Sequence, residues 1–375
     1  MTSQIGQSVA RGKVAARVSE LLDSPEIADL ISELDALRWT GRKGYGSRAL
    51  LGACLAKALY AIPTWTRTVA LIAEHEALGK ALGGCPSVYA CYRFATKLRA
   101  NRPALDACFQ ALAASLRSEL PDYGRDIAID ASDLAAFANG QRFVSKGGRE
   151  RERFSDPDAS WGHRSAVSTR RGGGYFGFKL HAAVCASTDL PLAWEVQTAR
   201  QHESLSAPTL LDAIYALGFT PETVALDKGY DARFVYEACE ASGAVPIIPV
   251  KETPAVKRGE HHAPSCEHGT WTFAGADFKR GAAKWRCPTG ECQPASLWRK
   301  ASRLHPLIPR ETKRWRDLYR GRAAVERAFG RLKHEGGLAP LRVRGLDRVQ
   351  LHADLCILAT LASALSRARA VPLAA

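Results

Sequence analysis

Asp126-Ile-Ala-Ile-Asp130, followed by Ala-Ser-Asp133, is where the chain changes character. Ile127 and Ile129 alternate with smaller or charged neighbours at a period of two, the pattern of a strand with one buried face. Upstream, the apolar spacing is near 3.6 and the reading is helical. Helices are expected over 9–35, over 47–60 (stopped by Pro63), over 66–78, from the Ser87 cap through Tyr89, Tyr92, Phe94 and Leu98, and over 103–120. Gly83-Gly84-Cys85-Pro86 reads as a turn between two of them. Downstream, 177–187 and 190–198 read as a hairpin pair around Ser187-Thr-Asp189. Then come a helix over 204–217 with Gly218 as its stop, a strand over 223–227, a helix over 232–242 and an apolar strand over 245–250. Strands first, then strands alternating with helices, give a mixed α/β core. Residues 137–174, rich in Gly, Ser, Asp and Arg, read as an exposed loop. The pattern breaks down between 251 and about 314. It resumes as helices over 317–334 and 346–368.

The 375 residues carry 52 Lys and Arg against 38 Asp and Glu, a net charge of +14. Ten of those excess charges fall between Arg299 and Arg348, where 15 basic residues face 5 acidic ones. A concentrated basic excess points to a phosphate backbone as partner, although a solvated face is the plainer account of any charge run. With 46% hydrophobic residues the chain is not mainly disordered. The apolar run 355–365 is shorter than the roughly 20 residues of a membrane span. Met1 to Ala10 has no apolar signal core, so a cytoplasmic location and no membrane partner are expected. The ten cysteines are scattered, most of them in apolar stretches, and read as reduced core residues.

Three carboxylates stand out. Asp130 ends the first strand, Asp227 ends the strand Val224-Ala-Leu226, and Glu326 lies on the basic helix. Carboxylates at strand ends point to the mouth of a sheet, and several converging there need a cation. Oxygen ligands of this kind favour Mg²⁺ or Mn²⁺, and two such ions can drive a phosphodiester displacement. Singly, each aspartate is more simply a turn or cap residue, and Glu326 an ion-pair partner of Arg322 four positions earlier. The combination carries the reading.

That combination resembles a family. Tyr319, Arg322, Glu326 and Lys333 reproduce the spacing Y-x2-R-x3-E-x6-K of the DDE transposases of bacterial insertion sequences, in the branch with that signature. Asp227-Lys-Gly-Tyr230 resembles the D-x-G-[FY] motif of the second acid, Asp130-Ala-Ser the first, and Gly177-Phe-Lys-Leu-His181 the second-strand motif. The acids are 97 and 99 positions apart, with an insertion before the third. The resemblance implies an RNase H-like mixed-sheet catalytic core with an insertion before the last catalytic helix, preceded by an all-α N-terminal domain. On that reading 1–120 is helical, for DNA binding or dimerisation, 121–250 begins the core, 251–315 is the insertion, and 316–375 supplies the closing helices. It implies that Asp130, Asp227 and Glu326 hold two Mg²⁺ or Mn²⁺ ions, and that Tyr319, Arg322, Lys333, Lys179 and His181 contact DNA. It further implies cleavage at terminal inverted repeats, strand transfer into target DNA, a homodimer in the synaptic complex and association with the nucleoid. Neighbouring Asp126 and Asp133 compete for the first metal position, which is assigned here to Asp130.

Within the insertion, Cys266-Glu-His268 and Cys287-x4-Cys292 form a candidate structural Zn²⁺ set, with spacings looser than the usual knuckles. Trp271, Trp285 and Trp298 are expected to pack its small core, with stacking on a splayed base as the alternative. Lys146, Arg149, Arg151, Arg153, Arg164, Arg170 and Arg171 make 146–171 a second candidate DNA contact, or a merely solvated loop. Two other functions share most of these features: a metal-dependent nuclease without strand transfer, and an inactive transposase-derived DNA-binding protein. A metabolic α/β enzyme is disfavoured. The sequence lacks a phosphate-binding glycine motif between strand and helix, and Gly172-Gly-Gly174 precedes a strand.

Overall fold

The structure is a computed structural model that describes residues 13–37, 44–142, 148–150, 152–164 and 171–370. Seven helices come first: α1 (Lys13–Asp23), α2 (Pro25–Ala36), α3 (Ser47–Leu59), α4 (Trp65–Glu74), α5 (Glu76–Leu82), α6 (Val88–Ala100) and α7 (Arg102–Glu119). The single helix expected over 9–35 is two. Pro25 cannot continue α1, because it lacks an N–H and its ring displaces the preceding turn, so Ser24 is extended and α2 begins anew. Residues 9–12 of that expectation lie outside the described residues. The helix expected over 66–78 is likewise broken, at an extended His75. Ser87 caps α6 as expected, its hydroxyl accepting from the Ala90 N–H. α3 buries Leu51, Ala53, Leu55 and Ala56 on several faces and lies at the centre of this layer.

The sheet contains β1 (Asp126–Ala135), β2 (Ser160–Arg164), β3 (Gly173–Cys185), β4 (Pro191–Thr198), β5 (Thr223–Leu226) and β6 (Val245–Ile247). α8 (Ser206–Ala216) and α9 (Arg233–Ala241) connect the later strands. The order is β4-β3-β1-β5-β6, with β2 taking the same edge of β3 further along. β3 runs antiparallel to β1, whereas β5 and β6 run parallel to it. β1 continues past Asp130 to Ala135 because β3 stays paired with it that far. Gly177 permits the approach: a Cβ there would lie 2.1 Å from the Leu134 carbonyl oxygen. The segment expected as one exposed loop over 137–174 contains β2 and a fully buried Asp156. Asp156 accepts from the Gly345 N–H, tying this segment to the start of the last helix. Lys146, Arg151 and Arg170 lie outside the described residues. Of the other loop cations, Arg149, Arg153 and Arg171 are exposed, and Arg164 is paired to Asp133.

Between 251 and 300 a short α10 (Pro254–Lys257) precedes the hairpin β7 (Ser265–Cys266) and β8 (Gly269–Thr270). A separate antiparallel sheet follows: β9 (Thr272–Asp277), β10 (Ala282–Arg286) and β11 (Ser296–Lys300). Its own core is four buried residues, Trp271, Ala283, Trp285 and Cys287. The chain then returns through α11 (Lys313–Arg320), α12 (Ala323–His334) and α13 (Leu346–Ala370). The helix expected over 317–334 starts earlier and is interrupted at Gly321-Arg322. α13 is long and apolar enough to cross a membrane, but 72% of its apolar window is buried against protein. It packs on α3, α7 and β4, and through it the helical layer and the sheet share one continuous hydrophobic core. The buried Asp354 carboxylate locks that seam. It accepts from Trp194 Nε1 and Gln350 Nε2, each at 2.8 Å, and pairs with Arg102.

Candidate active site

Register places the first two acids side by side. β1 and β5 are parallel, with Ile129 opposite Leu226, so the next residues are Asp130 and Asp227. β5 stops there while β1 continues, which opens a crevice beyond the carboxyl end of β5, where ligands of such sheets sit. Asp130 Oδ1 accepts from its neighbour's N–H, that of Ala131, at 2.8 Å, and Oδ2 accepts from Arg322 at 2.8 Å. Burial pushes Asp130 up to about 7. The Ala131 N–H and the Arg322 guanidinium pull against that, and the charges of Asp227 and Glu203 add to it. Asp227 caps a one-turn 3-10 segment, Lys228–Tyr230, accepting from the Gly229 N–H at 2.6 Å. A Cβ on Gly229 would stand 2.7 Å from that same Asp227 oxygen, so only glycine leaves the carboxylate where it is.

Glu326 enters from the first turn of α12, which packs on β1 and β3. The Arg322 guanidinium pairs with both Asp130 and Glu326 and so faces acids from two elements. The donor set is all oxygen, clustered around a cationic centre, which fits a hard divalent cation rather than a thiophilic one. Among the described residues, the acids are not all within 4.8 Å of one another. Glu326, with 57% of its side chain in solvent, is the member with room to turn inward. Tyr319 is half-buried and stacks on Trp315, ring centroids 5.0 Å apart. Burial raises its hydroxyl above the ordinary tyrosine value, against the pull of Arg322.

Two further neighbours shape the site, and only one of them, Tyr230, carries a signal in the sequence. Glu203 precedes α8 and bears electrostatically on Asp130, while its carboxylate pairs with Lys179 Nζ at 2.9 Å. Tyr230 is fully buried, its hydroxyl has no hydrogen-bond partner among the described residues, and Asp130, Glu203 and Asp227 all act on it electrostatically. The position of Tyr230 in the D-x-G-Y motif was visible. Nothing in the sequence singled out Glu203.

The expected DNA contacts separate into groups. Lys333 Nζ donates to the Asp133 carbonyl at 2.5 Å and is mostly covered. Lys179 is turned into the protein toward Glu203 and the Gln201 carbonyl, at 3.2 Å. His181 is completely buried, and neither ring nitrogen has a partner among the described residues. Burial, with Lys179 adding to it, pushes its imidazole down to about 3. A covered ring offers no surface to a DNA backbone, and both β3 residues are spent inside the fold. β3 is buried on both faces from Tyr175 to Cys185, and that covers them.

The turn behind Asp227 is clamped. Asp231, with no exposed side-chain surface, accepts from Arg303 Nε and Nη2 (2.9 and 2.7 Å), Tyr236 Oη (3.0 Å) and the Lys251 N–H (2.6 Å). Lys251 Nζ donates to the Gly229 carbonyl at 2.7 Å. Arg310 donates to the carbonyls of Ile248, Leu304 and Arg303. Both ends of the 251–315 stretch are thereby bonded to the second-acid turn. Of the four candidate zinc residues, the structure brings Cys266, Cys287 and Cys292 together. His268 is not in that group; its ring nitrogens lie 3.5 Å from Glu267 and 3.4 Å from Glu291. Trp271 and Trp285 fill the small core as expected, and Trp298 is 44% exposed, with Arg280 and Lys284 over its ring.

A family model described as "Transposase DDE domain" matches residues 124–362, from just before β1 into α13. No curated protein matches the chain. Among solved structures, a cryo-EM structure of a piggyBac transposase synaptic complex with hairpin DNA is similar at a TM-score of 0.36 and 11% identity. That similarity covers 96% of this chain and 82% of the other. Because the matched segment spans well over half the sequence and contains Asp130, Asp227 and Glu326, this chain belongs to the transposase DDE domain family.

Proposed function

We propose that this chain is the DNA transposase of an insertion sequence, of the branch with the Y-R-E-K signature, cutting at the ends of its element and joining the freed 3′-OH to target DNA. The observation that carries the reading is the Arg322 guanidinium bridging Asp130 on β1 and Glu326 on α12, with Asp227 set beside Asp130 at the end of β5. The strand order β4-β3-β1-β5-β6, with β1, β5 and β6 parallel, supports an RNase H-like core. On this reading 1–120 is the helical domain, 251–315 the insertion, and 316–375 the closing helices.

Asp130, Asp227 and Glu326 would hold two Mg²⁺ or Mn²⁺ ions; when bound, these supply Lewis acidity toward the attacking water or 3′-OH and the leaving oxygen. The residues around them do the positioning. The Gly229 N–H aims Asp227, and the Ala131 N–H holds one oxygen of Asp130. Arg322 keeps the acids facing one another until a cation takes that place, and is then available for the scissile phosphate. Tyr319, beside it, lines the path of the strand near the cut.

DNA would approach across the basic excess of 299–348. Arg99, Arg342, Arg344 and Arg348 line a cavity of about 380 Å³ between the helical layer and α13. Arg342 and Arg344 stand over the exposed ring of Phe137 at 5.3 and 5.1 Å, a surface suited to phosphates and a stacked base. A homodimer holding two ends, and a place on the nucleoid in the cytoplasm, belong to the same proposal.

The test is a labelled DNA carrying the element's ends, with Mg²⁺, alongside Glu326→Gln. End cleavage and joining by the unaltered chain, with a variant that binds and does not cut, supports the proposal. Cleavage without joining would leave a nuclease in its place. A Glu326→Gln variant as active as the parent would remove Glu326 from the site.

A further inference from the structure

The stretch from Ser265 to Lys300 builds two small sheets around four buried residues. It is shorter than the roughly 40 residues below which folded units usually need a metal or disulfide. Three of its side chains supply the means. Cys266 sits in the β7–β8 hairpin, Cys287 directly follows β10, and Cys292 lies in the connection from β10 to β11. The two turns bring the sulfurs together. Cys266 Sγ and Cys287 Sγ are 3.9 Å apart, and all three sulfurs lie within 4.8 Å of one another. A tetrahedral zinc with bonds of about 2.3 Å sets neighbouring sulfurs about 3.8 Å apart. Cys287 is at the same time one quarter of the module's buried core, so a ligand there would tie the core to both turns.

We propose that Cys266, Cys287 and Cys292 form a three-thiolate site for one structural Zn²⁺, with the fourth position left to solvent. The site fastens the β7–β8 hairpin to the three-stranded sheet and takes no part in the chemistry at Asp130. His268 is left out of the ligand set because its ring nitrogens do not join the group of three sulfurs and instead face Glu267 and Glu291.

The experiment is metal analysis of the full-length chain, purified without chelator, by inductively coupled plasma mass spectrometry. The expected result is one zinc per chain in the parent and in Cys85→Ser, a cysteine outside the module, and in His268→Ala. Loss of zinc is expected in each of Cys266→Ser, Cys287→Ser and Cys292→Ser. Because a serine variant could fail to fold, the unaltered chain is also stripped of zinc and titrated with Co²⁺. Thiolate-to-cobalt absorption of a strength matching three thiolates, saturating at one equivalent, supports the site. Three results would overturn it: a parent chain without zinc and without affinity for cobalt, a disulfide linking two of the three cysteines in the freshly purified protein, or zinc lost from His268→Ala as completely as from the serine variants. Limited trypsin digestion gives a readout independent of DNA cleavage. Chelation should speed cutting at Arg280 and Arg286, and unchanged digestion would count against a structural role.

Discussion

Two largely covered aspartates, Asp354 with none of its side chain exposed and Asp130 with 17%, pair with one arginine each, and their surroundings differ in a way that separates architecture from chemistry. Asp354, in the seam between α13, α7 and β4, has Arg102, Trp194 and Gln350 as donors. Asp130, at the mouth of the sheet, has Arg322, shared with Glu326 as Arg102 is shared with Asp106, but the other groups bearing on it are the acids Asp227 and Glu203. The first arrangement is closed: every partner is a donor, and the result is a fixed helix. The second is crowded with negative charge, which costs stability until a cation arrives. Sharing of the arginine does not tell the two apart; the remaining neighbours do, neutral donors at Asp354 and further carboxylates at Asp130.

The strongest way to break this contrast is to neutralise an acid at the mouth. Asp227→Asn should lower end cleavage on the order of 1,000-fold or more, because a metal ligand is lost, with thermal unfolding unchanged or slightly improved. A marked loss of stability would place Asp227 with Asp354 as an architectural residue. The converse variant is Arg102→Ala. It leaves the Asp354 carboxylate without its counter-charge and should cost about 3 kcal/mol of stability, measured by urea unfolding, while cleavage per folded molecule stays level. Gly229→Ala sharpens the comparison within the site. Its methyl must displace the Asp227 carboxylate, and a displacement of this size should slow cleavage on the order of 100-fold, with substrate binding retained. If rates are unaffected, the Gly229 N–H does not aim the acid.

The smallest effect concerns an acid of a third kind. Asp189 is held below the ordinary carboxylate range, despite its burial, by Arg327 and Arg331, which donate to it from α12. A depressed carboxyl stabilises the fold above its unfolded value and loses that contribution as pH falls through its folded one. Arg327→Gln should therefore cost about 0.5 kcal/mol at neutral pH, with the difference from the parent shrinking as the pH is lowered below about 4. A penalty independent of pH would mean that Arg327 acts through packing.

The sheet and the acids were legible because they depend on local pattern. Ile127 and Ile129 declare the first strand, and the position of Asp227 at the end of an apolar run places it at a strand end. What could not be read depends on partners far away in sequence. β1 extends to Ala135 because Gly177 lets β3 follow it, and Lys179 and His181 are covered because β3 is buried on both faces from Tyr175 onward. Glu203 reaches the site from a turn before α8 that has no motif of its own. The break at Pro25 is masked by the apolar spacing, which runs smoothly through it, although a proline at that point is itself a sign of a helix end. Spacing alone puts His268 with the cysteines, whereas the β7–β8 turn points it at carboxylates.

The clamp on Asp231 has a consequence for anyone who would cut or graft this chain. Arg303 and Arg310 sit past the last strand of the small sheet, yet their bonds are to Asp231, Ile248 and Tyr236. Ile308 belongs to the main core. A deletion joined at 251 and 315 would thus remove the fastening of the turn that carries Asp227. One joined inside Lys257 and Lys300 would leave it whole. The separable cassette is shorter than the break in sequence pattern implies, and its ends act as a staple for the site it interrupts.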